Sequence, residues 1–209
     1  LRNEKVVSET DDAIPGLIGK SQLIRDIKEQ ILQLVDANTH VLILGEQGTG
    51  KEVIAKAIWD VHRRDIDKNF NPFDCGQFDP NLIISELFGY EKGAYTGAER
   101  TKPGLFELAN GGTLLLDEIG YMSMGLQAKL LKAIEEKTFR RLGGEQEIQV
   151  RMRIIASTNV DLEKAMRESK FREDLYYRLN EIQIELPPLR NRSEDVILLA
   201  EHFIEEFAQ

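Results

Sequence analysis

Cysteine, proline, histidine and long apolar runs are all scarce in this chain. Among 209 residues there is one cysteine, Cys75, so no intrachain disulfide can form and a reducing compartment is the simplest setting. The three histidines, His40, His62 and His202, are scattered without the spacing of zinc ligands. The longest apolar runs, such as Val41-Leu42-Ile43-Leu44 and Leu114-Leu115-Leu116, fall far short of the roughly 20 residues that cross a bilayer, so no membrane association is expected. Positive charge is in deficit: 27 Lys and Arg against 36 Asp and Glu leave a net charge of −9. A chain this acidic is a poor partner for a nucleic-acid backbone, and no helix-turn-helix is visible. The polar, acidic start, Leu1 to Asp12, has the pattern of neither a signal nor a transit peptide, and the chain is expected to begin inside a longer product.

What is present is an ordinary globular composition, with 42% hydrophobic and 30% charged residues. The length suits one medium domain, or one domain and the start of a second. Residues 1–15 read as a linker. Ser21 is a candidate N-cap for a helix carrying Ile24, Ile27, Ile31 and Leu34. Val41–Leu44, Thr113–Asp117, Arg153–Ser157 and Ile182–Leu186 read as strands, and Phe73–Cys75 as a weak one. Helices are expected over Lys51–Arg63, Pro80–Phe88, Gly125–Lys137, Leu162–Glu168 and Arg172–Arg178, with a hairpin over Phe139–Arg151. After Pro187-Pro188, Ser193 is expected to cap a helix with Glu194 and Asp195 in its first turn. Buried strands alternating with helices predict an α/β fold, a parallel sheet flanked by helices, over residues 16–189. Residues 190–209 read as the start of a truncated helical lid subdomain.

Two segments carry chemistry. Gly45-Glu46-Gln47-Gly48-Thr49-Gly50-Lys51-Glu52 follows a buried strand and opens a helix. Glycines there let backbone N–H groups converge on phosphate oxygens, the helix N-terminus adds positive potential, and Lys51 would reach the β and γ phosphates. The general pattern has Ser or Thr where Glu52 stands, and the segment also fits a plain strand-to-helix turn. The second segment is the apolar strand ending in Asp117-Glu118. Beside a phosphate loop, Asp117 is the candidate magnesium ligand and Glu118 the candidate general base. By itself such a strand end commonly just leads into a solvated loop.

The chain resembles the central ATPase domain of bacterial sigma-54-dependent transcriptional activators (NtrC-like enhancer-binding proteins), a branch of the AAA+ superfamily with a P-loop fold. The resemblance is carried most specifically by Glu86-Leu87-Phe88-Gly89-Tyr90-Glu91-Lys92-Gly93-Ala94-Tyr95-Thr96-Gly97-Ala98. It is carried also by Gly104–Thr113, Phe171–Asn180 and Leu186-Pro187-Pro188-Leu189-Arg190, and the family usually has Glu at the position of Glu52. The resemblance implies Mg2+-dependent ATP hydrolysis in a cytoplasmic homo-oligomeric ring, a hexamer or heptamer, that remodels the sigma-54 RNA polymerase closed complex. It places Ile18 and Gly19 near the adenine and Gly45–Val53, including Val53, around the phosphates. It makes Asn159 a γ-phosphate sensor and Arg172 and Arg178 arginine fingers acting on the neighbouring subunit. Gly93, Ala94, Tyr95, Thr96, Gly97 and Ala98 become the loop that contacts sigma-54. DNA contact would come only through a domain outside this chain.

Two positions depart from the family pattern. Tyr95 replaces the usual Phe of the contact loop, keeping the ring and adding a hydroxyl. Asp74 stands where an Asn usually donates to the catalytic glutamate and holds it off. An ionised Asp only accepts and repels Glu118, so either one carboxyl of the pair carries a proton or the switch works differently. Without the resemblance, the two arginines read as surface pairs with Glu173, Asp174 and Glu181. Two other readings are an AAA+ remodelling ATPase of another branch and a nucleotide-gated binding module without hydrolysis.

Overall fold

The computed structural model describes residues 14, 16–35, 38–62, 69–77 and 79–208. Most of the expected linker, residues 1–15, and Arg63 at the end of an expected helix lie outside the described residues. In chain order the elements are α1 (Gln22–Gln33), β1 (Val41–Gly45), α2 (Lys51–His62), β2 (Phe70–Asp74), α3 (Pro80–Phe88), β3 (Gly89–Tyr90), β4 (Lys102–Pro103), α4 (Leu105–Leu108) and β5 (Thr113–Asp117). They continue with α5 (Met124–Glu136), β6 (Thr138–Phe139), β7 (Ile148–Gln149), β8 (Arg153–Thr158), α6 (Leu162–Arg167), α7 (Glu173–Leu179), β9 (Ile182–Leu186) and α8 (Glu194–Phe207). Five strands share one sheet in the order β2-β5-β8-β1-β9, and β5 pairs in parallel with both β2 and β8. The expected α/β fold class is the one found. No helix among the described residues is long and apolar enough to cross a membrane.

The chain divides into two compact units. One comprises Leu1–Asn38, Ile43–Ile66 and Ile184–Gln209, the other Thr39–Leu42 and Asp67–Gln183. In the first, α1 buries Ile24, Ile27 and Ile31 at helical spacing, and α2 buries Ile54, Ala55, Ile58 and Val61. Ser21 occupies the N-cap position but does not cap: its hydroxyl donates to Asp195 Oδ2 at 2.6 Å. Ser193 likewise forms no capping bond, and its backbone is already helical. For Ser21 the reason is Asp195, which is fully buried and accepts from the backbone N–H of Lys20 (2.6 Å) and of Ser21 (2.9 Å) as well as the Ser21 hydroxyl. Burial alone would push this carboxyl's pKa up. The Ser21 hydroxyl, the two amides and the charge of Arg192 outweigh it and hold the pKa below the ordinary range.

In the second unit the register of β5 on β8 sets Leu114 opposite Ile154 and Leu116 opposite Ala156, all buried. β2 is longer than the expected Phe73–Cys75 because Pro72 sits in a strand at the end of the sheet order, where its missing N–H costs no ladder bond. Ser123 caps α5 by accepting from Leu126 N, and Asp161 caps α6 by accepting from Lys164 N. The four-residue α4 was unmarked by periodicity. Its Phe106 packs edge-to-face on Phe88 (4.8 Å between ring centroids) and Phe139 (5.6 Å). Each such ring buried in full contributes on the order of 2–3 kcal/mol.

Replacing Asp195 with Ala leaves the buried N–H and hydroxyl of Ser21 and the part-buried N–H of Lys20 without their acceptor. The expected loss is about 2–3 kcal/mol of unfolding free energy at pH 7. The folded carboxyl titrates below the unfolded one, so its stabilisation is complete above the ordinary carboxylate range and lost as pH falls through the lowered value. Denaturant titrations at neutral and acid pH should therefore show the gap between parent and Asp195→Ala closing in acid.

Candidate functional site

In the first unit, the loop after β1 turns on Gly48 (φ 79°) and Gly50 (φ 97°), left-handed values that glycine adopts without strain. A Cβ added at either would meet open space, so no protein atom stands against the backbone there. Gly45 is different: a Cβ would come within 2.9 Å of Thr49 Oγ1. Thr49 closes the turn, its N–H and hydroxyl both donating to Glu46 O (3.3 and 2.8 Å). Lys51, in the first turn of α2, is buried, with Nζ 3.3 Å from Gly45 O and 3.5 Å from Glu46 O. Glu52 and Val53 are exposed on the same turn.

Two arginines beyond β9 also grip this loop, and the sequence reading gave them no role. Arg190 clasps the Glu46 carboxylate with two bonds of 2.7 and 2.5 Å, and Arg192, buried, donates to Thr49 O at 3.0 Å. Gly19 lies against Asp195 and Ile24, each 3.0 Å from where a Cβ would stand, and its carbonyl accepts from buried Lys28 at 3.1 Å. Neighbouring Ile18 is partly exposed.

In the second unit, β5 delivers Asp117 and Glu118 beside the end of β8. Asp117 Oδ1 accepts from the Ser157 hydroxyl at 2.5 Å and from Glu118 N at 3.0 Å. Glu118 has a left-handed backbone (φ 54°), uncommon outside glycine, which turns the chain sharply out of the strand. Its Oε2 accepts from Asn159 N (3.1 Å) and Thr158 Oγ1 (3.3 Å), and Tyr121 OH donates to Asn159 Oδ1 (3.4 Å). Asp117, Glu118 and Asn159 thus come together, joined by Ser157 and Thr158, which the sequence reading missed.

Asp74 spends both carboxylate oxygens on its own turn, accepting from Gly76 N (2.7 Å) and Gln77 Nε2 (2.6 Å). It remains near Glu118, because a Cβ on Gly76 would lie 3.2 Å from Asp74 Oδ1 and 3.5 Å from Glu118 Cβ. Between them Cys75 is buried and donates its N–H to Asp117 O at 2.8 Å. Burial, then the charges of Asp74, Asp117 and Glu118, push its thiol far above the ordinary range. Among the described residues no group of three or more His, Cys, Asp or Glu could hold a metal by themselves. A magnesium ion bound with a triphosphate needs only one or two carboxylates, which Asp117 fits.

The loop Gly93–Ala98 is closed by Gly93 N to Ala98 O (2.9 Å), with Gly93 and Gly97 at positive φ. Gly93, Thr96 and Gly97 are exposed, Ala94 is half-buried and Ala98 is buried. Tyr95 is 47% exposed and stands edge-on to Tyr90 at 5.1 Å. The β6–β7 hairpin braces the base of this loop. Glu91 N donates to Leu142 O and Leu142 N to Gly89 O, both 3.0 Å. Arg141 pairs with Glu107 (2.6 Å) and Glu91 (2.7 Å).

Arg172 forms a two-pronged bond with Asp174 (2.9 and 2.6 Å), one of the surface pairs weighed from the sequence. Arg178 is half-buried near His40, Glu181 and Arg153, and its Nε has no hydrogen-bond partner.

The strand-loop-helix with its lysine and the acidic strand end are the parts of a phosphate-loop α/β domain. Comparison with known proteins gives the family. The sigma-54 interaction domain matches residues 17–185, and the chain belongs to that family. It is 50% identical to the regulatory protein AtoC of Escherichia coli K12 over 192 residues, covering 92% of this chain and 41% of AtoC. It is 47% identical to the Nif-specific regulatory protein of Herbaspirillum seropedicae, covering 93% of this chain and 36% of that protein. Crystal structures of NtrX from Brucella abortus, in complex with ADP and with ATP, share the fold at a TM-score of 0.85 and 33% identity. They cover 100% of this chain and 45% of NtrX. The chain thus spans less than half the length of these relatives.

Cys75, held protonated by burial first and then by three nearby carboxylates, should react with iodoacetamide only when the domain opens. Its alkylation at pH 8 is expected to be slower than in the denatured chain by the fraction of molecules open at equilibrium, and to speed up with denaturant as that fraction rises. Fast alkylation of the folded protein would contradict this placement.

Proposed function

We propose that this domain hydrolyses ATP in a homo-oligomeric ring in the cytoplasm and uses the Gly93–Ala98 loop to remodel the sigma-54 RNA polymerase closed complex. The observation that carries the reading is the family match over residues 17–185, which spans both the phosphate loop and the contact loop. The ATP and ADP complexes of NtrX support nucleotide as the ligand.

In this reading the loop from Gly45 to Val53 cradles the phosphates. Its open backbone at Gly48 and Gly50 offers N–H groups, and Lys51 leaves its two carbonyl contacts to meet the β and γ oxygens. Asp117 would hold Mg2+, and the ion would supply positive charge to the triphosphate. Glu118 takes a proton from the attacking water, the Asn159 amide and Thr158 hydroxyl having fixed its orientation. Asn159 senses the γ-phosphate. Ile18 and Gly19 flank the adenine, and residues 190–209 begin a helical lid, whose Arg190 and Arg192 already grip the phosphate loop. Arg172 and Arg178 act on the neighbouring protomer's nucleotide, where a guanidinium stabilises the charge of the transferred phosphoryl.

The Arg141 bonds to Glu107 and Glu91 support coupling between the strand end and the contact loop, since Glu107 lies on α4 just before β5 and Glu91 at the base of the loop. Thr101 first and then Arg141 hold the Glu91 carboxyl below its ordinary range, and Arg141 does the same for Glu107. DNA is contacted only through a domain outside this chain.

ATPase activity measured against protein concentration tests the reading. Specific activity should rise cooperatively with concentration, and Arg172→Ala should lower it by about three orders of magnitude. A specific activity indifferent to dilution and to Arg172→Ala would remove catalysis in trans. Separately, Tyr95→Ala should leave hydrolysis within about twofold while abolishing nucleotide-dependent binding to sigma-54, because it removes only the exposed ring.

A further inference from the structure

Gln127 is a polar side chain with no exposed surface, on the inward face of α5. Its amide is fully engaged. Nε2 donates to Met122 O (2.8 Å) and to Lys170 O (3.0 Å), and Oε1 accepts from Arg172 N (2.8 Å). Two of these three bonds reach residues on either side of Phe171, which is itself buried. The amide therefore clamps the backbone from 170 to 172 at two points.

The clamped segment is a sharp turn. Ser169 has φ 55°, and Lys170 N and Phe171 N both donate to Ala165 O, at 2.8 and 3.2 Å. Arg172 ends the turn as the N-cap residue of α7 and gives that helix no side-chain cap. Its guanidinium instead points outward to Asp174, with the side chain 36% exposed. An apolar residue at 127 would fill the space, but it would take their partner from the Met122 and Lys170 carbonyls and the Arg172 N–H. A buried amide that is fully satisfied specifies one register between α5 and the start of α7, which packing alone does not.

We infer that Gln127 is a positioning residue for Arg172: it fixes where the guanidinium of Arg172 projects, and so sets how well that arginine reaches a neighbouring protomer's nucleotide. The inference rests on the trans role proposed for Arg172 and adds a residue that never touches nucleotide. Rate terms that depend on placement are steep, and displacement by about 1 Å costs up to a hundredfold. Nucleotide affinity should be spared, because Gln127 belongs to the finger side of the interaction.

The experiment compares the parent chain, Gln127→Met, Gln127→Glu and Arg172→Ala, each alone and mixed with Lys51→Ala protomers. Gln127→Met is expected to bind a fluorescent ADP analogue as the parent does, with KM for ATP unchanged and kcat lowered about tenfold to a hundredfold. Gln127→Glu keeps the acceptor for Arg172 N and should fall between Gln127→Met and the parent. Mixing with Lys51→Ala should restore turnover to Gln127→Met, because the Lys51→Ala protomer has an undisturbed Arg172 to offer. Parental kcat in Gln127→Met overturns the inference. So does a loss that Lys51→Ala protomers fail to restore while they do restore Arg172→Ala, since that pattern marks general damage. If Gln127→Met loses nucleotide binding, the same mixing comparison is scored on Gln127→Glu. An Arg172→Ala that keeps the parental rate defeats the trans role itself, a result distinct from failure at Gln127.

Discussion

The parallel register of β5 on β8 is the constraint from which the acidic end of the site follows. With Leu116 opposite Ala156, the two strands run out side by side, so Asp117 meets Ser157 and Glu118 meets Thr158 and Asn159. Side chains alternate across a strand, so a shift of one residue would turn the carboxylates away from their hydroxyl partners. The register is held by buried apolar residues, Leu114, Leu115 and Leu116 against Ile154, Ile155 and Ala156. Core packing and site geometry are thus one interaction. The strained backbone of Glu118 belongs to the same design: leaving the strand in a left-handed turn costs about 1–2 kcal/mol, offset by the neighbours that fix it.

Away from this centre, the exposed Gly93–Ala98 loop rests on a well-packed base. The Gly93–Ala98 loop springs from a two-residue strand pair and is braced by a hairpin whose Gly143 approaches Ala94 so closely that a Cβ would come within 2.9 Å of it. Three phenylalanines, from α3, α4 and β6, pack against one another beneath it. Arg141 adds a charged tie from the hairpin to both Glu91 and Glu107. The loop thus presents an exposed aromatic between two glycines at positive φ on a base tied by backbone bonds and ion pairs.

Polar groups that looked unremarkable in the sequence turn out to hold distant segments in place. Ser21 resembled an ordinary helix cap, and its hydroxyl instead serves a buried aspartate 174 residues away. Gln127 resembled one more residue of an amphipathic helix, yet it clamps a turn 43 residues downstream. Arg190 and Arg192 followed a proline break and reach back 144 and 143 residues to the phosphate loop. Nothing in local spacing distinguishes these side chains from solvated ones, because the information lies in the partner. Pro72 hid half of β2 for a related reason, since a proline reads as a break until the strand is known to lie at the end of the sheet.

By itself, the sequence determined the features whose cause is local. The glycine-lysine loop forms because Gly48 and Gly50 can take left-handed conformations and the following residues open a helix. The three buried strands β1, β5 and β8 form because short, largely apolar runs bounded by turns have one low-energy way to hide. The family is legible for the same reason, as contiguous motifs such as Glu86–Ala98. Only the tertiary structure decided which hydroxyl meets Asp117, which amide holds Arg172 and what Ser21 donates to. Those outcomes depend on bonds between residues far apart in the chain, and such bonds exist only once burial has removed water as the competing partner.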